Sequence, residues 1–314
     1  MRKIVNTLQI SREEWLTLRK GSIGGSDAGA VMGMNPYRSA LEVYADKKGM
    51  IPDKEQNEAM RLGSDLEDYV AKRFEEMTGK KVRRDNYMYA HDDYPFMTAN
   101  VDRVIVGENA GLECKTMSPF SKYDVAAGEI PDQYYAQCQH YMAVMAYDRM
   151  YIAILVYQKG VWQHPVERND EFIKQMIQQE KEFWENHVIP CIPPEPDGSE
   201  SAIDTLVAMY PDGSDDTEVY LPDNDIIQKY QECGEAIKRL KSQQDDMKAS
   251  ICAVLADCNT GRSDQFVVTW KKQDRTTINS KKLLDNYPEI YNELKSTTST
   301  RVMRVKKIKK ETRK

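Results

Sequence analysis

The stretch that decides the fold is Asn100-Val101-Asp102-Arg103-Val104, followed across a Gly107-Glu108 turn by Leu112-Glu113-Cys114-Lys115-Thr116. Side chains two apart on a strand share a face, so Glu113 and Lys115 point one way and Cys114 the other. A two-residue turn at Gly107-Glu108 sets Asp102 directly opposite Glu113, because the two lie equally far from the turn centre. Glycine at the first turn position suits a type II′ hairpin. The expected product is two carboxylates and one ammonium on one face of a sheet.

Two facing carboxylates raise each other's proton affinity. A hard divalent cation removes that conflict, and Mg²⁺ takes a few carboxylates together with waters and phosphate oxygens. A lysine beside them can orient or deprotonate an attacking water, which is the equipment for metal-assisted phosphodiester hydrolysis. The competing reading is plain: Asp102, Glu113 and Lys115 are hairpin charges making ordinary cross-strand pairs.

Further residues bear on that choice. Met60 to Thr78 reads as an amphipathic helix with Gly79 as its C-cap signal. Gly63, Glu67, Val70 and Phe74 fall on one stripe of it, which puts the Glu67 carboxylate at the edge of the buried face, where a charge needs a partner or a metal. Strands are expected at Val82 to Ala90, Thr98 to Val106, Leu112 to Thr116 and Met150 to Gln158. The helix that begins at Pro131-Asp132 carries Gln137 and Tyr141 one turn apart, beside its apolar side. Upstream, Ser11 and Glu14 have capping-box spacing at the head of a helix that carries Trp15 and Arg19. The turn Gly24-Gly25-Ser26-Asp27 follows and leads into a helix of small residues. Arginine gives bidentate phosphate contacts, and a glycine-rich turn ahead of a helix exposes backbone N–H groups to an anion. The alternative is that Ser26 caps a helix and Arg19 pairs with a surface acid.

Taken in order, an acid on a helix, an Asp, a Glu-x-Lys on the next strand and a helix with Gln-x-x-x-Tyr resemble the PD-(D/E)xK nuclease superfamily. With Trp15-x-x-x-Arg19, Gly63-x-x-x-Glu67 and Ile130-Pro131 added, the chain resembles more closely the YqaJ-like viral recombinases, a group that includes the phage lambda-type alkaline exonucleases. Val101 stands where the superfamily name implies proline. The resemblance covers about 11–188. It implies an α/β fold with a restriction-endonuclease-like core, a central mixed sheet flanked by helices, and a helical and mixed C-terminal extension. It also implies metal ligation by Asp102, Glu113 and the Cys114 backbone carbonyl, with Glu67 near or water-linked. Lys115 would position the water and Gln137 support the site, while Arg19, Ser26 and Tyr141 would meet the DNA and its 5′-phosphate. The implied cofactor is a pair of Mg²⁺ or Mn²⁺ ions. The implied activity is 5′-to-3′ exonuclease action on linear double-stranded DNA, which leaves 3′ single strands for recombination. Double-stranded DNA ends, a single-strand annealing protein and other copies in a trimeric ring are the implied partners. The setting implied is the bacterial cytoplasm, with a phage or prophage gene. An endonuclease on the same fold is the first alternative, and a catalytically inactive DNA-binding or assembly module is the second.

Composition bounds this reading. The 314 residues carry 44 basic and 50 acidic side chains, a net charge of -6, which on its face disfavours a phosphate-binding protein. Yet Arg301 to Lys314 holds eight basic side chains against one acid. The six cysteines form no C-x-x-C pair, so Cys-ligated zinc or iron–sulfur is not expected. Met1 to Trp15 is mixed polar without an apolar run, so secretion is not expected, and no apolar run reaches the ~18 residues of a membrane span. The expected organisation is a nuclease domain at 1–195, a connector rich in Pro, Gly and Asp at 196–222, and an extension at 223–314. In that extension Ile226, Tyr230, Cys233, Ile237, Leu240, Gln244, Met247, Ile251 and Val254 recur at alternating steps of four and three, a coiled-coil-like seam.

Overall fold

The computed structural model describes residues 1–53, 57–213, 218–297 and 301–307. The chain divides into two units, Met1–Pro211 and Asp212–Lys314.

In the first unit two sheets share their strands along the chain. A four-stranded sheet runs in the order β1 (Arg2–Asn6), β4 (Tyr87–Ala90), β5 (Met97–Ala99), β2 (Ile23–Gly24). A five-stranded sheet runs in the order β3 (Val82–Arg84), β6 (Arg103–Ile105), β7 (Ala110–Met117), β8 (Arg149–Val156), β9 (Gly160–Glu167). β7 and β8 pair in parallel and the remaining pairs of that sheet are antiparallel, so the expected mixed sheet with flanking helices is present. The strands expected at 82–90 and 98–106 are each divided. Both leave one sheet and enter the other, at Asp85-Asn86 and at Asn100-Val101-Asp102. β1 and β9 carry no strong sequence signal, because their residues are half exposed and mixed in polarity.

The β6–β7 register is the expected one. Arg103 lies opposite Leu112 and Val104 opposite Gly111, and Gly107 turns the chain at φ +84, a conformation glycine adopts without steric cost. β8 is the spine of the core. Its Met150, Ile152, Ile154 and Val156 pack on the side of α5 (Asp132–Met145), and its Tyr151 and Ala153 on the side of α4 (Glu58–Thr78). A strand buried on both faces reads as a continuous apolar run, as this one does. Phe74 of α4 is fully buried with its ring 5.4 Å from that of Tyr151.

The remaining helices complete the unit. α1 (Arg12–Lys20) starts at a full capping box between Ser11 and Glu14. α2 (Gly25–Val31), α3 (Ala40–Lys47), α6 (Asp170–Phe183) and α7 (Glu200–Met209) follow. α7 lies inside the stretch expected to be connector. Its Ala202 is buried in a cluster with Leu41, Val43 and Tyr44, so only part of 196–222 is irregular.

The second unit holds α8 (Asn224–Leu255), a hairpin of β10 (Thr260–Arg262) and β11 (Val267–Thr269), and two short helices, α9 (Ser280–Asn286) and α10 (Pro288–Leu294). Leu255, against Gly261 of the hairpin, is its one buried hydrophobic side chain among the described residues. Residues 308–314 of the basic tail lie outside the described residues. No described helix is long and apolar enough to cross a membrane.

Candidate functional site

Asp102 sits one residue before β6, past the end of the ladder, and its side chain takes the ladder's place: Oδ2 accepts from the Cys114 backbone N–H at 2.8 Å. That bond ties the carboxylate to the middle of β7. Glu113 and Lys115 share a face, with Lys115 Nζ 2.6 Å from Glu113 Oε1. Cys114 points to the opposite side, against the α4 cluster. Gln137, one helix away on α5, donates from Nε2 to Glu113 Oε1 at 2.7 Å and to the Tyr141 hydroxyl at 3.0 Å.

The electrostatics of this cluster follow from burial. Asp102 is desolvated and faces Glu113, and both effects push its pKa well above the usual carboxylate range, against a smaller opposing pull from Lys115. Burial would lower the Lys115 pKa, but the Glu113 and Asp102 carboxylates outweigh it and hold the ammonium above its ordinary value. Lys115 also lies over the Tyr134 ring, 5.1 Å from the centroid. Glu113 itself is 3% exposed, and its Oε2 has no hydrogen-bond partner. A buried carboxylate oxygen without a donor costs free energy unless something satisfies it.

Glu67 has the partner that its place at the edge of the buried face required. Arg103, buried at the start of β6, pairs with Glu67 and, at 2.6 Å, with Asp68. Nothing in the sequence pattern singled out Arg103, because an arginine after the conspicuous Asp102 looks like an outward-facing strand residue.

Arg19 and Ser26 are brought together: Nη2 of Arg19 donates to Ser26 Oγ at 2.9 Å, and the guanidinium lies 4.8 Å from the Trp15 ring centroid. Beneath them Asp27 is fully buried and bonded to Lys47 at 2.6 Å and Arg38 at 2.5 Å. Lys47 also donates to the Arg19 backbone carbonyl at 2.9 Å, which ties this ion network to the end of α1. Sequence reading passed over the network, since Asp27 resembled an ordinary first-turn acid. α2 presses on α5 through two glycines. A Cβ on Gly25 would come within 2.5 Å of the Tyr141 ring, and one on Gly29 within 2.9 Å of the Gln133 backbone. Tyr141 is thereby buried between the two groups of residues. Burial raises its pKa well above the usual phenol value, so the hydroxyl stays neutral.

One cleft of about 660 Å³ is lined by Arg19 together with Glu67, Asp102, Glu113 and Lys115. Of the basic side chains Lys80, Lys81, Arg83 and Arg84, three pair with acids: Lys80 with Glu108, Lys81 with Glu75 at 3.4 Å and Arg84 with Asp68 at 2.6 Å. Among the described residues no three His, Cys, Asp or Glu side chains stand together as a ready-made metal cage. The donors in the cleft nevertheless fit a hard cation: one unsatisfied buried oxygen of Glu113, an Asp102 whose negative charge is disfavoured as it stands, and room for water and phosphate oxygens.

Comparison with known proteins agrees with the resemblance read from the sequence. The YqaJ-like viral recombinase domain matches residues 14–148. The Bacillus subtilis (strain 168) protein YqaJ, itself uncharacterized, is 38% identical over 306 residues, which cover 96% of each chain. Solved structures with some likeness include an alkaline exonuclease from Laribacter hongkongensis, 20% identical with a TM-score of 0.48, covering 57% of this chain and 94% of that one. A phage-related exonuclease from Haemophilus somnus 129PT is 13% identical with a TM-score of 0.44, covering 56% and 99%. The 38% identity to the Bacillus subtilis relative along nearly the whole length of both chains places this protein in the YqaJ-like viral recombinase family.

Proposed function

We propose that the protein is a divalent-cation-dependent deoxyribonuclease that degrades linear double-stranded DNA from 5′-phosphorylated ends in the 5′-to-3′ direction. The 3′ single strands it leaves would pass to an annealing protein in phage-type recombination. The observation that carries this reading is the single cleft in which Arg19 and the Asp102, Glu113 and Lys115 set meet. Membership of a viral recombinase family supports the DNA substrate.

In this reading Asp102, Glu113 and the Cys114 carbonyl would hold Mg²⁺ or Mn²⁺, with Glu67 at the margin. When bound, the cation supplies charge neutralisation at the scissile phosphate and acidifies water. Lys115 orients the attacking water through its ammonium, which Glu113 fixes on one side and the Tyr134 ring on the other. Gln137 holds Glu113 through Oε1 and leaves its Oε2 unpartnered and available as a ligand. Arg19 and Ser26 grip the terminal 5′-phosphate through a charge-assisted fork and a hydroxyl. Tyr141, held against Gly25, joins that end of the cleft to Gln137.

The test uses linear duplex with 5′-phosphate or 5′-hydroxyl ends and closed circular duplex of the same sequence, each with Mg²⁺ and with chelator. Digestion of phosphorylated linear duplex alone, abolished by chelator, is expected. Arg19→Ala should reduce the preference for phosphorylated ends about 10-fold or more, the scale of one lost charge-assisted contact of roughly 1.5–3 kcal/mol. Cutting of the closed circle would establish the endonuclease reading instead. An Arg19→Ala slowed equally on both linear substrates would remove the phosphate pocket.

A further inference from the structure

Charge is divided unevenly along the chain. Residues 259–314 hold 15 basic and six acidic side chains, a net +9, whereas the 258 residues before them hold 29 basic and 44 acidic, a net -15. The basic side chains of the two regions also differ in what they meet. In the first unit Lys80, Lys81 and Arg84 each pair with an acid. In the second, Lys271, Arg275, Lys281 and Lys282 are exposed and make no ion pair among the described residues, and Lys272 meets only Asp274, at 3.3 Å in solvent. Unpaired basic side chains clustered in one part of an acidic protein are an electrostatic footprint for phosphate.

Aromatic rings stand beside these charges on a hairpin that is fixed at both ends. At its turn the Ser263 N–H donates to the Phe266 carbonyl at 2.9 Å, and the Phe266 N–H donates to Ser263 Oγ at 3.0 Å. At its open end the Trp270 N–H donates to the Asn259 carbonyl at 2.9 Å, which carries the pairing one residue past β11. Leu255 anchors the hairpin to the end of α8: it is buried against Gly261, where a Cβ would come within 2.6 Å of it. Alternate residues of a strand share a face, so Phe266, Val268 and Trp270 lie on one side. They are 69%, 36% and 48% exposed. Trp270 leads directly into Lys271-Lys272.

Exposed flat rings interleaved with unpaired ammonium and guanidinium groups match one class of ligand. Each nucleobase of a single strand has a free face to stack on an aromatic ring, and each nucleotide brings a phosphate for a basic side chain. A duplex offers the phosphates alone, because its nucleobases are already stacked on one another. An apolar protein surface would leave the charges unanswered. We infer that the β10–β11 hairpin and the basic chain after it bind single-stranded DNA. Phe266 and Trp270 stack on nucleobases, and Lys271, Arg275, Lys306 and Lys307 meet phosphates. Stacking of this kind tolerates every nucleobase, so the site is indifferent to sequence. Binding here is independent of the chemistry in the cleft. Under the proposed function, the 3′ single strand left by digestion is the ligand at hand.

The test titrates the full-length protein, in chelator, into fluorescein-labelled oligothymidylate and into a labelled duplex, read by fluorescence anisotropy. The unaltered protein should bind oligothymidylate. Phe266→Ala with Trp270→Ala should weaken that binding about 10-fold or more, the scale of lost stacking on two rings, and leave duplex binding unchanged. Trp270→Phe, which keeps a ring, should retain most of the affinity that Trp270→Ala loses. Glutamine at Lys271, Arg275 and Lys306 together should lower the slope of log affinity against log salt by about 2, at about 0.7 for each phosphate contact on a single strand. No binding of oligothymidylate by the unaltered protein would overturn the inference, as would equal losses on both ligands or no loss on either. Affinity for polyglutamate without affinity for oligothymidylate would overturn it too, and would assign the hairpin to an acidic protein partner. A protein that binds oligothymidylate through these residues, yet digests no DNA when Mg²⁺ is supplied, would sink the cleft reading and leave this one standing.

Discussion

In Met1–Pro211 the apolar side chains of β8 are covered on both faces by α4 and α5, whereas in Asp212–Lys314 the apolar seam of α8 stands in solvent. Both elements carry Ile, Leu and Met in a regular pattern. What differs is where the cover comes from. A strand between two helices is buried by its own chain, at the expense of bringing distant segments together. The long heptad helix has no such cover from the other described residues of its unit. The first unit also buries a paired ion cluster, with Asp27 between Lys47 and Arg38. The described charges of α8 remain at the surface.

The sharpest way to break the contrast is at the cleft. Lys115→Ala should slow DNA digestion by about 10²–10³-fold, the scale for removing one positioned donor from a reacting centre, with the circular dichroism spectrum and melting temperature retained. Digestion at the unaltered rate would remove Lys115 from the reaction.

A second probe addresses buried charge. Asp27→Asn leaves Lys47 and Arg38 without their shared carboxylate and should destabilise the first unit by about 3–5 kcal/mol, as breaking a buried pair does. Chemical denaturation measures it, and a change below about 1 kcal/mol, the scale of exposed pairs, would mean the network is not a buried ion cluster. Burial opposes ionisation of Asp27, but Lys47 and Arg38 overcome it and depress its pKa far below the ordinary value. With the folded-state pKa below the unfolded value of about 3.9, the ionised form contributes stability above that pH. That contribution is lost as pH falls below it. The acid limb of the stability profile should therefore be shallower in Asp27→Asn.

The smallest effect belongs to α8. At a concentration low enough for single chains, Ile237→Ala should change unfolding free energy by no more than about 0.5 kcal/mol, as exposed substitutions do. Phe74→Ala in the first unit should cost about 3–5 kcal/mol. An Ile237→Ala loss that approached the Phe74→Ala loss in dilute protein would mean that the seam is covered within one chain.

Much of the first unit was legible because its signals are local and periodic. The capping box at Ser11 and Glu14, the C-cap at Gly79, the apolar run of β8 and the Gly107 turn each specify their element from a few residues. The turn alone set the register that brings Asp102 to Cys114. The sheet exchange at Asp85-Asn86 and Asn100-Val101-Asp102 was not legible, since strand periodicity does not say which neighbour a strand pairs with. In the cleft, Gln137 as a support of the site came from the family resemblance, while helix spacing said only that it lies one turn from Tyr141. Arg103 with Glu67, and Asp27 with Lys47, depend on segments brought together only by the tertiary fold, and no spacing along the chain encodes them.

The close approach of α2 to α5 through Gly25 and Gly29 has a mechanical consequence. Where Gly29 meets the Gln133 main chain, no rotamer lies between the two helices to absorb a change in spacing. Ser26, and Arg19 bonded to it, are thereby held at a distance from Glu113 that this contact sets, like the fixed jaw of a gauge. A single methyl group at position 25 would reset the jaw by pushing Tyr141, and through Gln137 the carboxylate itself.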